Sequence, residues 1–418
     1  MQVLAYIANQ FPSPLEPYVA EEIQALRQRG VHVVPCSARL PEANLNNGLK
    51  SLADETLYLQ HWKLTSVLLA SWLCLVTLPL IADFLWRILA QGNETAARRA
   101  KALLHTWMGV YLAISLREKN VTHIHVHHGY FSAWITMVAA RVLKIGFSMT
   151  LHGSDLLVNS FYLDTKLENC DRCYTVSDFN RKFIIGNYPQ IESEKIVLRR
   201  LGVKARAANP SRTNARASNR LRLLSVGRLH PVKDHAFLLA ACRELKASHV
   251  AFNCFIAGEG PARPSLEWLV HQFRLEEEVQ LLGHLSRPQL DEQYAICDIA
   301  ALTSRSEGIP VALMEAMAHE KIVLAPDITG IHELIVQGKT GSLYQPGSLA
   351  DFVSKVEMIH SASAHLEPIR ARARNHVAEN FNSDKNLAAF VDRFLFHLGD
   401  AAASTESGQS ENPLLQQI

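Results

Sequence analysis

The chain has 418 residues, of which 48% are hydrophobic and 20% charged, with 42 Lys+Arg against 40 Asp+Glu for a net charge of +2. That length suits two large domains with sizeable cores and excludes a disordered protein. The even charge balance gives no reason to expect nucleic acid, and seven cysteines, an odd count in a long chain, exclude a disulfide scaffold and fit a reducing compartment.

Met1 to Gln10 carries no Lys or Arg before its apolar stretch, and Val3 to Ala8 reads as a buried strand rather than part of a secretory leader. Tyr18, Val19, Ile23 and Leu26 recur at helical spacing before Gly30, and VHVVPCS follows as a second strand. A strand–helix–strand unit with short connections predicts a parallel sheet. The run from Leu64 to Ala82 contains no charged residue and is about the length of a bilayer span, although Thr65, Ser66, Ser71, Thr77 and Pro79 interrupt it. If the strands on either side share one sheet, the chain cannot cross a membrane between them. A helix or hairpin touching one leaflet, a buried helix and a true span stay open.

Strand–helix alternation resumes with HIHVHH, an apolar helix over Ser132 to Leu143, and the strands FSMTLHG and CYTVS. Lys204 to Arg220, basic and poor in apolar residues, reads as a linker. The alternation then restarts: strand LRLLSVG, helix FLLAACRELKA, strand AFNCFIAGEG, and later strand IAALTS, helix VALMEAMA and strand KIVLAPD. The expected organisation is an α/β protein with two Rossmann-like domains, parallel sheets facing a cleft. Residues 1–203 form the first domain with the apolar segment 64–82, 204–220 the linker, and 221–375 the second domain. A helix over 376–398 packs back on the first domain, and 399–418 is a disordered tail. Open sheets of this kind bind ligands at the carboxyl ends of their strands.

Chemistry-bearing residues concentrate in the second half. In SVGRLHPVKDH, Arg228 and Lys233 sit between a strand end and a helix start, which makes a plausible diphosphate clamp, the plain alternative being two solvated cations. In SRSEGIPVALMEAMA, Glu307 follows a strand, Gly308 permits close backbone approach, and Pro310 suits a first helical position. The amides of Gly308 and Ile309 could face an anion or a sugar hydroxyl. Glu315 lies eight residues on, within the helix. Such a pair of acids can grip separate hydroxyl-bearing parts of one ligand, or be a helix-start acid and an ordinary surface acid.

This string, with Phe255–Pro261, Val279–Leu285, Thr329–Glu333 and Gly338–Gly341 in order, resembles the donor domain of family 4 glycosyltransferases, which have the GT-B architecture. The opening FPSPLEPYVAEEIQALRQRGVHV is similar to glycosyltransferases of colanic-acid-type exopolysaccharide assembly, and LHGSD resembles the family's His-Gly-x-Asp segment. The resemblance implies that Arg228 and Lys233 bind the donor diphosphate and Glu315 the ribose. Glu307 and the amides after it would contact the transferred sugar, and His152 would meet that sugar near the reaction centre. It also implies retention of configuration, a nucleotide-sugar substrate, a glycan or lipid-linked acceptor, and no cofactor or metal. The expected location is the cytoplasm, on the inner face of the membrane if 64–82 touches lipid, with no nucleic-acid partner.

The family's usual glycines are Asp234 and Glu320 here, and a proline is Ile322. A carboxylate beside Lys233 could weaken phosphate binding or point to solvent. A non-catalytic nucleotide-binding subunit and a nucleotide-sugar epimerase of the same fold are the rival readings. His123, His125 and His127 share one strand face, but no nearby acid or cysteine completes a metal site. Cys170 and Cys173 form a lone pair read as buried thiols, and Gly258-Glu259-Gly260 falls short of a dinucleotide fingerprint.

Overall fold

The computed structural model describes residues 2–14, 16–41, 45, 47–60, 64–158, 160–204, 220–362 and 365–406. Most of the expected linker lies outside the described residues. The chain forms two compact units. The first comprises Met1–Val176, Asn180–Arg199 and Leu387–Ile418, and the second Ser177–Phe179 and Arg200–Asn386.

Unit 1 is built on seven parallel strands: β1 Val3–Gln10, β2 His32–Arg39, β3 Leu57–Tyr58, β4 His123–His127, β5 Gly146–Leu151, β6 Arg172–Thr175 and β7 Ile196–Leu198. Their order is β3-β2-β1-β4-β5-β6-β7, so the direction of winding reverses between β1 and β4. Strand alternation sends Ala5 and Ile7 to one face and Leu4, Tyr6 and Ala8 to the other. The first face is covered by the helices Ala96–Arg117 and Phe131–Leu143. The second is covered by the helix Pro17–Gln28 and by Phe390, Val391, Phe394 and Leu398 from the chain's last described helix, Ser383–Glu406. The tail expected to be disordered from Gly399 is helical to Glu406, in one helix with the buried Phe390, Phe394 and Leu398. Residues 407–418 lie outside the described residues.

The uncharged run covers the helix Leu64–Val76 and the start of a second, Leu78–Leu89, the two bent by 85°. Pro79, in the first turn of the second helix, has no N–H to continue the first. Thr77 at the corner donates its hydroxyl to the Leu73 carbonyl at 2.7 Å. Ala70, Leu73, Ile81, Phe84 and Ile88 anchor the pair in the core, while Leu64, Leu68, Trp72, Leu75, Trp86 and Leu89 are exposed. Among the described residues no helix is long and apolar enough to cross a membrane.

Unit 2 has six parallel strands: β8 Leu221–Val226, β9 Phe252–Ala257, β10 Val279–Gly283, β11 Ile299–Ala301, β12 Ile322–Pro326 and β13 Ser342–Tyr344. The order is β10-β9-β8-β11-β12-β13, with the reversal between β8 and β11. Leu221 and Leu223 pack one face and Leu224 the other. In sheets of this kind ligands are taken at the carboxyl ends of the strands, at the point of reversal.

Candidate active site

The reversal in unit 2 brings the loop after β8 against the loop after β11. Thr303 donates its hydroxyl to the Lys233 carbonyl at 3.0 Å, and the Arg305 amide donates to the Val232 carbonyl at 2.9 Å. These bonds set the side chains of the two loops beside each other. Lys233 Nζ donates to Glu307 Oε1 at 2.5 Å, with the side chains 21% and 10% exposed. Arg228 is exposed and makes no ion pair among the described residues. The amides of Gly308 and Ile309 donate to no other backbone carbonyl among the described residues. Gly330, in the left-handed region at φ 85°, lies so close that a Cβ there would overlap the Gly308 carbonyl oxygen.

Pro310 is the residue before the helix Val311–Ala318, not its first residue, because its extended ψ of 113° starts the turn. Glu315 is buried on that helix rather than lying on the surface. Its carboxylate accepts from the Tyr294 hydroxyl at 3.1 Å and from the Arg287 guanidinium. Burial first, and then Glu315, pushes the Tyr294 hydroxyl well above its ordinary pKa, which keeps it a donor. Arg287 opens the helix Arg287–Ile296, whose start is tied by the Ser286 amide donating to Gln289 at 2.9 Å. The sequence reading missed Arg287 and Tyr294; neither carries a local signal, since each acts through a partner more than twenty residues away.

The two departures from glycine stand where the backbone itself favours glycine. Asp234 and Glu320 are both left-handed, at φ 48° and 59°, where glycine costs least. Each is held by an arginine: Arg305 Nε lies 2.7 Å from Asp234 Oδ2, and Arg374 Nη1 lies 2.6 Å from Glu320 Oε1. The Asp234 carboxylate is thus engaged by Arg305, and Lys233 takes Glu307 instead. Gly258 and Gly260, at φ 150° and 157°, let this turn pass against the backbone of Gly227 and Leu229, where a Cβ would clash with their carbonyl oxygens. The Gly-Glu-Gly turn therefore shapes the Arg228 loop.

In unit 1 the loops after β4 and β5 gather a second polar cluster. Asp155 is fully buried and accepts from the amides of Gly129 at 2.9 Å, His152 at 3.0 Å and Gly153 at 2.8 Å. Burial opposes its charge, but His128 and these amides outweigh it and hold the carboxyl below its ordinary pKa. His128, left-handed at φ 70°, lies 2.9 Å from Glu16 and 3.7 Å from Asp155. Burial works against its charge as well, yet the Asp155 and Glu16 carboxylates facing it raise its pKa to about 10. His152 is half-buried, stacks on Tyr18 with ring centroids 4.9 Å apart, and bonds His127 through Nε2 at 3.0 Å. Burial, then the charge of His128, pushes its pKa well down.

The expectation that no acid approaches the histidine strand is corrected by Glu22. Ligand atoms of Glu22, His125 and His127 lie within 4.8 Å of one another. Their donors are committed elsewhere, however. Glu22 pairs with Arg199, and both His125 nitrogens bond hydroxyls, Ser148 at 2.8 Å and Thr150 at 3.0 Å. A dication there would meet the guanidinium, so this set fits a metal poorly. The signal for Glu22 was its position between Val19 and Ile23 on the buried face of the first helix, where an unpartnered acid is costly. Cys170 and Cys173 are buried free thiols, and burial pushes Cys170 up to about 12.

Two parallel, doubly wound units with ligand-type side chains at the second reversal define the GT-B class of fold. Residues 209–376 match the sequence profile of the family described as Glycosyl transferases group 1. It is 34% identical over 208 residues to the putative colanic acid biosynthesis glycosyltransferase WcaL of Salmonella typhimurium, a match covering 47% of this chain and 51% of that protein. It is 28% identical over 286 residues to the amylovoran biosynthesis glycosyltransferase AmsK of Erwinia amylovora, covering 64% and 69%. The first of these matches thus spans about half of the relative's length. In fold, the chain is similar to Anabaena HepE, solved in complex with UDP, with a TM-score of 0.67 at 16% identity over 94% of this chain and 99% of that one. The sequence resemblance to exopolysaccharide-type glycosyltransferases and to their fold is borne out.

Proposed function

We propose that the chain is a retaining glycosyltransferase that moves a sugar from a nucleotide-sugar donor to a glycan or lipid-linked acceptor in cell-surface polysaccharide assembly. The observation that carries this reading is the juxtaposition of Lys233 with Glu307 at the reversal of the second sheet, with Arg228 in the same loop and Glu315 clamped nearby. Arg228 and Lys233 neutralise the leaving diphosphate, Lys233 exchanging Glu307 for a phosphate oxygen. The amides of Gly308 and Ile309, with Glu307, hold the transferred sugar. Glu315, oriented by Arg287 and Tyr294, accepts from ribose hydroxyls. The anomeric carbon–phosphate oxygen bond breaks while the acceptor hydroxyl oxygen bonds to that carbon on the same face, and the hydroxyl proton passes to the departing phosphate. Stabilisation of that developing charge is worth about 10²–10³-fold per donor group. The reading assigns no cofactor and no metal. Asp234 and Glu320, which depart from the family's glycines, are engaged in local ion pairs.

The test is release of UDP or GDP from a nucleotide-sugar panel by purified protein, with and without a membrane lipid extract and with Glu315→Ala as control. Release from one donor, raised by lipid and lost in the control, supports the reading. Binding without release favours the non-catalytic subunit, and conversion of the donor sugar without an acceptor favours the epimerase. The same reading keeps the chain in the cytoplasm on the inner face of the membrane, supported by the exposed face of Leu68, Trp72, Leu75 and Trp86. Co-flotation with liposomes that survives Leu68→Glu/Leu75→Glu would remove that part.

A further inference from the structure

His152 is the outer end of a line of hydrogen bonds that begins at a buried carboxylate. Glu22 Oε2 lies 3.1 Å from His127 Nε2, and His127 Nδ1 lies 3.0 Å from His152 Nε2. Glu22 and His127 are fully buried. Burial works against charge on Glu22, but Arg199, His127 and Tyr6 outweigh it and keep the carboxylate ionised. An ionised carboxylate only accepts, so His127 must carry its proton on Nε2. A neutral imidazole protonated there has a bare Nδ1, which only accepts, so His152 must carry its proton on Nε2 in turn. That leaves His152 Nδ1 bare, and it bonds no other described residue. Arg199 already neutralises the Glu22 carboxylate beside His127, and the His128 imidazolium disfavours a positive charge on the His152 ring. Tyr18, stacked on His152, sets the plane of its ring.

We propose that Glu22 and His127 are positioning residues that lock His152 in the tautomer with Nε2 protonated and Nδ1 bare, so that His152 offers an acceptor to a substrate hydroxyl. The hydroxyl as partner rests on the glycosyl-transfer reading; the tautomer does not. A carboxylate behind an imidazole that fixes the outer nitrogen is the logic by which indirect partners tune metal-binding and catalytic histidines. Here it is extended through a second ring, and the terminal group binds rather than transfers a proton.

The experiment is ¹⁵N NMR of histidine-labelled full-length protein near neutral pH, with His152 assigned by its loss in His152→Gln. The expected spectrum shows Nδ1 at the shift of a bare nitrogen and Nε2 protonated. The reverse tautomer, or an average of the two, overturns the proposal whatever the enzyme does. In Glu22→Gln the amide can donate to His127 Nε2, and His152 should move toward mixed tautomers. Glu22→Gln/Arg199→Gln does the same without a stranded guanidinium, should the single variant fail to fold. In a transfer assay the folded variant should lose about tenfold in kcat/KM, the scale of one hydrogen bond, while affinity for the nucleoside diphosphate stays within about twofold. A tautomer change with an unaltered rate overturns the acceptor role. A wild-type protein that transfers no sugar but shows the expected tautomer removes the glycosyl-transfer reading and leaves the lock standing.

Discussion

His128 is expected to make the stability of unit 1 depend on pH with a sign that one substitution isolates. Its pKa is raised to about 10 in the fold, against about 6.5 for an unperturbed histidine. The folded state therefore binds a proton that the unfolded chain releases between those values. The stabilisation is complete below pH 6.5 and is lost as pH rises toward 10. Each pH unit in that window is worth about 1.4 kcal/mol, a ceiling of about 5 kcal/mol across it. Glu16, Asp155 and His152 face the ring, and the first two account for the sign. Lys166 works in the opposite direction. Burial, partly offset by Asp155 and Asp164, lowers it to about 7, so its contribution grows as pH rises from there toward its unfolded value. The wild-type curve alone mixes the two.

The difference between wild type and His128→Asn cancels Lys166. Asparagine suits the left-handed backbone at φ 70°, so the loop is not strained by the change. Urea unfolding of both proteins at pH 6, 7.5 and 9 should show a stability gap that shrinks by roughly 3 kcal/mol from the first pH to the last. A gap constant to within about 0.5 kcal/mol would refute a charged His128 and with it the account of the Asp155 cradle.

Three further outcomes follow from the second unit. Glu315→Gln should weaken nucleoside diphosphate binding about tenfold by calorimetry, since a charge-assisted hydrogen bond is worth about 1.5–3 kcal/mol; unchanged affinity would remove Glu315 from the nucleotide site. Lys233→Ala should lower kcat about 100-fold in the transfer assay, and a normal kcat would show that the Lys233–Glu307 pair is only structural. Gly258→Ala should cost about 2–4 kcal/mol of stability, because its φ of 150° and the Gly227 carbonyl both reject a Cβ; an unshifted melting temperature would contradict the close approach of these turns.

Much of this could be read from local pattern. Tyr18, Val19, Ile23 and Leu26 repeat at helical spacing, the strands alternate with helices, and both sheets are parallel as that alternation requires. The residues Arg228, Lys233, Glu307 and Glu315 could be singled out because each stands at a strand exit or on the helix that follows. What escaped was of two kinds. The run from Leu64 gave no sign of its 85° corner, since a missing N–H at Pro79 bends a helix only if packing of Leu73, Ile81 and Phe84 favours the bend. The partners Arg287, Tyr294, Glu22 and Arg199 escaped because ion pairs across a fold have no period; Glu22 and Arg199 are brought together only when β7 and the first helix meet.

The return of Phe390 and Phe394 to the first sheet has a consequence for synthesis of the chain. These rings cover His125 and Tyr174, on strands made more than two hundred residues earlier. At about 5–20 residues per second, translation takes on the order of 10–40 s to span the 187 residues between Arg199 and Leu387. For that interval the nascent first unit has its seven strands but an uncovered aromatic and histidine face. The second unit, nearly continuous in sequence, finishes before the first. A ribosome stalled before Phe390 would hold an apolar surface open to chaperones, and the final helix is what closes it.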